Sequence, residues 1–246
     1  MQNDFFSKED KLIRSFGRVK SRKISNQKKD VLQNISPKYK LNYDFLLDKN
    51  NLSNYQRIIL EIGFGYGDFL YKMAKNNPQN LYIGCEPHLN GFINILRKLQ
   101  ESPLDNILLS NEDFRLLAQH LFVNNKVYDE AIFNQIFILF PDPWPKLKHH
   151  KRRLINKDFL DKILFSVLGN NNCDKDHQVI IATDHDDYKN WILSNVLKSA
   201  KFEWYANTQN DWLEFPKYWI KTKYQKKAAI EGRKSIIIKL DKVPTL

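Results

Sequence analysis

The residues best suited to chemistry in this sequence are carboxylates, and they recur after short apolar runs. Ile58-Ile-Leu-Glu61 leads into Gly63, Gly65, Gly67 and Asp68, and Leu81 to Cys85 is followed by Glu86. Ile107 to Ser110 is followed by Asn111, Glu112 and Asp113, and Ile136 to Phe140 by Pro141-Asp142-Pro143-Trp144. If each run is a strand of one sheet, the acids gather at its carboxyl edge, where ligands of open α/β sheets sit. Carboxylates brought together there repel one another unless a cation or hydroxyl donors lie between them. Pro141 and Pro143 fix φ on either side of Asp142, so that carboxylate is held in one place.

The glycine loop alone is a weak signal, and the acids around it narrow the ligand. A dinucleotide places its pyrophosphate at a helix N-terminus, where backbone N–H groups and the helix dipole favour negative charge. Asp68 at that place opposes a phosphate, and the spacing of Gly63, Gly65 and Gly67 departs from the dinucleotide fingerprint. S-adenosylmethionine carries an ammonium, a sulfonium and a ribose but no phosphate, and suits such a set. Glu61 faces its cations, and Glu86, about twenty residues past the loop, is placed to accept from both ribose hydroxyls. Plainer readings stand beside these: Asp68 as a helix N-cap, Gly67 as a packing residue, Glu86 and Asp113 as solvated loop acids. Glu61 lies inside an apolar run and needs a partner in either reading.

The elements that must position these residues follow from periodicity. From Arg57 onward, apolar and β-branched runs alternate with amphipathic stretches that predict helices near 68–76, 90–101, 114–123, 156–168 and 187–199. This alternation predicts an α/β Rossmann-like fold, a mostly parallel sheet with helices on both faces. Residues 202–208 and 235–240 predict an antiparallel pair of strands at the sheet edge, with only a polar, Lys-rich segment from Asp211 to Arg233 between them. Residues 1–40 are polar and basic and read as a flexible arm ahead of a single domain over 41–246.

Lys and Arg total 39 against 28 Asp and Glu, a formal net charge of +11, so the protein's field favours polyanions such as nucleic acid or an acidic membrane surface. Cys85 and Cys173 show no CxxC spacing, which fits a reducing, cytoplasmic compartment. The N-terminus has no apolar core of a signal peptide, and the most apolar stretch, Ala131 to Phe140, is too short to span a bilayer. Neither membrane insertion nor a bound metal is expected, and no internal repeat is visible.

The most specific segment is Phe140-Pro-Asp-Pro-Trp-Pro-Lys146-Leu-Lys-His-His-Lys-Arg-Arg-Leu154. It closely resembles the tRNA (guanine-N7)-methyltransferase family, and EIGFGYG (61–67), IGCEP (83–87), TDHDDY (183–188) and TKYQ (222–225) fall in that family's order. IRSFGRVKSRKIS (13–25) extends the resemblance into the arm, so it covers most of the chain. The resemblance implies a class I methyltransferase fold with a seven-stranded sheet, S-adenosylmethionine as donor, and tRNA as partner, with the variable-loop guanine as target. It implies cofactor binding by Glu61, Gly63, Gly65, Glu86, Asp113 and Asp142; Asp142 is also expected to be catalytic, since a fixed carboxylate near the purine stabilises the positive charge that methyl transfer places there. It implies substrate contacts by Lys146, Asp184, Thr222, Lys223, Tyr224 and Gln225. Family members usually carry Glu where Gln225 stands, and an amide accepts at one end and donates at the other, unlike a carboxylate. Asp184 has a structural alternative as the cap of the helix near 187–199.

Two rivals remain at this level. One is a methyltransferase for an exocyclic base amine, since Asp-Pro-Trp is similar to the Asp-Pro-Pro-aromatic loops of that group. The other is a non-catalytic RNA-binding factor on the same fold, which the full set of acids disfavours. Lys146, Lys148, Lys151, Arg152 and Arg153 could hold phosphates, and Trp144, Trp212 and Trp219 could stack on bases or pack in the core.

Overall fold

A computed structural model describes residues 24–123, 132–169 and 177–243. Strands β1 (Ile58–Ile62), β2 (Leu81–Cys85), β3 (Ile107–Ser110), β4 (Gln135–Leu139) and β5 (Val179–Thr183) run parallel. β6 (Phe202–Trp204) and β7 (Ile236–Lys242) are antiparallel to their neighbours, giving a seven-stranded sheet of order β3-β2-β1-β4-β5-β7-β6. Every residue of β1, β2, β4 and β5 is buried, the signature of strands covered on both faces. The expected edge pair is present, with β7 inserted between β5 and β6 so that only the short β6 is left at the margin.

Alternate strand residues feed two cores. Leu60, Ile62, Ile83, Ile136 and Ile181 pack on one face with α7 (Phe114–Val123) and α9 (Asp186–Lys198). Ile59, Tyr82, Phe137 and Ile180 pack on the other with α5 (Asp68–Asn76) and α6 (Leu89–Glu101). The helix expected near 156–168 is instead a π-helical stretch, Phe159–Leu164, running into one α-turn, α8 (Phe165–Val167).

Two segments carry helices that the periodicity does not single out. The arm expected over 1–40 lies outside the described residues up to 23, but α1 (Asn26–Asn34) and α2 (Ser36–Tyr39) pack on the domain, ahead of the short helices α3 (Tyr43–Leu47) and α4 (Lys49–Leu52). Val31, Ile35 and Tyr39 recur every four residues among lysines and reach the core, and the Leu41 N–H donates to the Leu109 carbonyl at 2.8 Å. This sparse stripe is easily missed amid the charge. The segment 211–233 also carries a helix, α10 (Lys223–Ile230), capped by the Thr222 hydroxyl. Its inner face is made of Gln225 and Ala228, which give almost no apolar period. Cys173 and the motif at 13–23 lie outside the described residues, among which no helix is long and apolar enough to cross a membrane.

Candidate active site

The carboxyl ends of β1, β2, β3 and β4 open onto one cavity of about 530 Å³, lined by Gly63, Gly65, Glu86, Asp113, Asp142 and Tyr224 among others. The chain turns there from β1 into α5 through three left-handed glycines, Gly63 (φ 73°), Gly65 (φ 55°) and Gly67 (φ 71°). Gly67 occupies the N-cap position of α5; Asp68, for which a cap is one of two readings, sits in the first turn and pairs with Lys98 of α6. The loop lies hard against α6: a Cβ on Gly91 would stand 2.2 Å from the Gly65 carbonyl oxygen. Gly91 was not singled out by sequence, although a glycine near the start of an amphipathic helix signals such an approach.

Backbone amides fix the second acid. Glu86 accepts from the Gly65 N–H and from the His88 N–H, each at 2.7 Å. Burial pushes its carboxyl up, and those two N–H groups work against the rise. Glu61 lies beneath the loop in a small adjoining recess shared with Thr222, Lys223 and Tyr224. Only 2% exposed, it has a carboxylate oxygen, Oε2, with no partner among the described residues. Burial first, and the charge of Glu86 second, push its pKa up to about 8. Asp113 meets Arg115 in a fork, accepting from Nε at 2.9 Å and Nη2 at 2.7 Å.

The Asp142 loop is built differently. Phe140, just past β4, still makes a sheet-type bond, its N–H donating to the Ala182 carbonyl at 2.8 Å, but its φ is 55°, and Trp144 follows at 43°. Non-glycine residues in this region cost conformational energy, so the loop is strained on both sides of Asp142. Asp142 is reached by solvent at the mouth, and partial loss of its water shell raises its carboxyl above the ordinary value. The Arg152 guanidinium lies 4.9 Å from the Trp144 ring, and both line the cavity. Beyond it a short 3-10 helix, Leu147–Arg152, carries Lys148 and Lys151 to the surface, with Lys146 at its start.

Comparison with known proteins gives the family of the chain. The methyltransferase family model Methyltransf_4 matches residues 55–238. The chain is 34% identical over 226 residues to the tRNA (guanine-N(7)-)-methyltransferase of Agrobacterium fabrum, covering 89% of this chain and 91% of that one. It is 34% identical over 239 residues to the enzyme of the same name from Wolbachia pipientis wMel, covering 97% and 96%. The chain belongs to the tRNA (guanine-N7)-methyltransferase family. A solved antibiotic-related methyltransferase shares the fold, with 21% identity, a TM-score of 0.52, and coverage of 82% of this chain and 95% of its own.

Within this methyltransferase, the sequence-derived residues divide into those that meet at the cavity and those that do not. Gly63, Gly65, Glu86, Asp113, Asp142 and Tyr224 meet there, and Glu61, Thr222 and Lys223 meet in the adjoining recess. Lys146 is exposed outside the lining. Asp184 accepts from Arg233 Nε at 2.8 Å and does not cap α9, a place taken by His185. Gln225 is buried, its Oε1 accepting from Trp219 Nε1 at 2.8 Å. Trp219 in turn packs on Phe69, and Trp212 on Trp204, so of the three tryptophans weighed for stacking only Trp144 lines the cavity. Sequence reasoning missed Tyr66, whose ring lies 4.0 Å from Lys223 Nζ, and Arg115; Tyr66 stands inside the glycine motif, where attention goes to the glycines, and Arg115 stands in no pattern that separates it from an ordinary surface residue. No cluster of potential metal ligands occurs among the described residues.

Proposed function

We propose that this enzyme transfers a methyl group from S-adenosylmethionine to N7 of a guanine in tRNA, the variable-loop guanine, in the cytoplasm. The observation that carries this reading is the Asp142 carboxylate, held on a doubly strained loop at the mouth of an acid-lined cavity. The residues present fit the donor: Glu61 Oε2 is a buried acceptor without a partner among the described residues, and a Cβ on Gly63 would meet nothing within 4 Å, so space lies beside the loop. Glu61 would take the ammonium, the Gly63–Gly65 loop the amino-acid portion, Glu86 the ribose hydroxyls, and Asp113 the far side of the nucleoside. When bound, that donor supplies a methyl group activated on a cationic sulfur.

Guanine N7 carries a lone pair and no proton, so these residues need not remove one, and positioning supplies most of the rate. Holding the two partners in line is worth on the order of 7–11 kcal/mol. Positive charge that develops on the purine is met by Asp142. One fixed carboxylate at about 4 Å, in an effective dielectric near 20, contributes a few kcal/mol. Lys146, Lys148, Lys151 and Arg152 form the rim on which RNA phosphates settle, with Tyr224 and the Thr222–Lys223 start of α10 facing the base across the mouth. Asp184 is tied through Oδ2 to Arg233 and Gln225 through Oε1 to Trp219, so these contacts set how each side chain is oriented toward a base.

The test is incubation of unmodified tRNA with labelled S-adenosylmethionine followed by nucleoside analysis. N7-methylguanosine at the variable loop is expected. Label on an exocyclic amine, or none, would sink the reading.

A further inference from the structure

The segment that follows the Asp142 loop is fastened along α9 by side chains. The Ile155 N–H donates to the Tyr188 hydroxyl at 3.3 Å, Trp191 Nε1 donates to the Ile155 carbonyl at 2.7 Å, and the Lys157 N–H donates to Asn195 Oδ1 at 3.0 Å. At the loop end of this seam stands Arg153, a charged side chain with 0% exposure. Its guanidinium lies 5.2 Å from the Tyr188 ring centroid and 5.1 Å from that of Trp191, and its Nη2 donates to the Asp187 carboxylate. Its Nε donates to the carbonyl oxygen of Pro143 at 2.8 Å.

Burying a guanidinium is costly, and its fork must return that cost through geometry. Three attachments of Arg153 belong to one helix, and the fourth reaches the loop between the left-handed residues Phe140 and Trp144. Arg153 does not line the cavity, although Asp142, Trp144, Arg152 and Leu154 do. Adjacent arginines thus face opposite ways: Arg152 toward Trp144 and the mouth, Arg153 back into the fold.

We propose that Arg153 is a positioning residue that, anchored on α9, holds the Pro143 carbonyl and so fixes the strained loop carrying Asp142. The proposal rests on the functional reading for its turnover readout. It also explains why Asp187, Tyr188 and Trp191 stand together on α9: they grip the arginine.

Arg153→Lys keeps the charge and loses the planar fork. Because a small displacement near reacting atoms is expensive, kcat should fall roughly ten- to hundredfold, with KM for tRNA and affinity for S-adenosylhomocysteine unchanged. In protein carrying 15N-tryptophan, the indole N–H signal of Trp144 should move while those of Trp204 and Trp212 stay. Val167→Ala, in the core far from the loop, should lower stability but keep kcat and the Trp144 signal. Wild-type kcat in Arg153→Lys, a loss matched by Val167→Ala at equal folded fraction, or a static Trp144 signal overturns the proposal. A raised KM for tRNA at unchanged kcat also overturns it, making Arg153 an RNA contact. If Arg153→Lys does not fold, Asp187→Asn, at a side chain 56% exposed, takes the same readouts with the same expected signs. Should wild-type protein form no N7-methylguanosine, the functional reading falls, while the Trp144 signal still decides on Arg153.

Discussion

The glycine loop and the Asp142 loop close on one cavity, but they are held in different ways. Around β1 and β2 the restraints are backbone: left-handed glycines, the Glu86 carboxylate gripped by two amide N–H groups, and α6 pressed onto Gly65 through Gly91. Around β4 the backbone is strained, and the restraint comes from side chains of a distant helix, through Arg153, Asp187, Tyr188 and Trp191. A backbone-built half offers a fixed receptor for a small donor. A half built from side chains can present one carboxylate to a large substrate that must enter and leave. On the proposed function, donor binding falls to one side of the mouth and methyl transfer to the other.

Substitutions that strike one half should therefore leave the other's readout alone. Asp142→Ala should lower kcat by about 10²-fold or more with little change in tRNA or S-adenosylhomocysteine affinity; equal losses in all three would erase the division. Gly91→Ala, forced against the Gly65 carbonyl, should cost roughly 1–3 kcal/mol in denaturant unfolding and abolish tight binding of S-adenosylhomocysteine in calorimetry. A variant as stable and as tight as wild type would show that the two elements do not need their close contact.

Glu61 sharpens the comparison through pH. Its carboxyl is near 8 in the folded protein against an ordinary value of 4.5, so between these the folded state keeps a proton the unfolded chain has lost. Ligand-free stability should thus fall as pH rises through that window, by up to about 1.4 kcal/mol per unit from this group, and level off above it. Unfolding curves of Glu61→Gln that retain the full slope would remove Glu61 as its source. The smallest effect belongs to the rim: Lys146→Ala and Lys148→Ala should each reduce the slope of log affinity for tRNA against log salt by just under one unit, with kcat on saturating tRNA unchanged. A slope that does not move takes that lysine off the phosphate path.

Legibility in the sequence follows the same division. Strand-to-helix alternation, the three glycines and the acids Glu86, Asp113 and Asp142 beyond successive strands are local patterns and lie where the spacing placed them, while Glu61 drops into the adjoining recess. The antiparallel edge was legible too, since β6 and β7 follow one another without a crossover helix of apolar period. The packing of residues 26–41 and the helix α10 were not, because their buried faces are a sparse stripe in one case and Gln225 with Ala228 in the other.

The order of apolar runs and turn residues by itself determined a parallel sheet with carboxylates at one edge, because a strand's period and a glycine's left-handed backbone are properties of neighbouring residues. Only the tertiary structure decided which groups reach the cavity and which are spent elsewhere. Asp184 on Arg233, Gln225 on Trp219, and Arg153 on the Pro143 carbonyl are partnerships across distant segments. A side chain's free hydrogen-bonding capacity depends on what folding brings beside it, and no spacing along the chain encodes that.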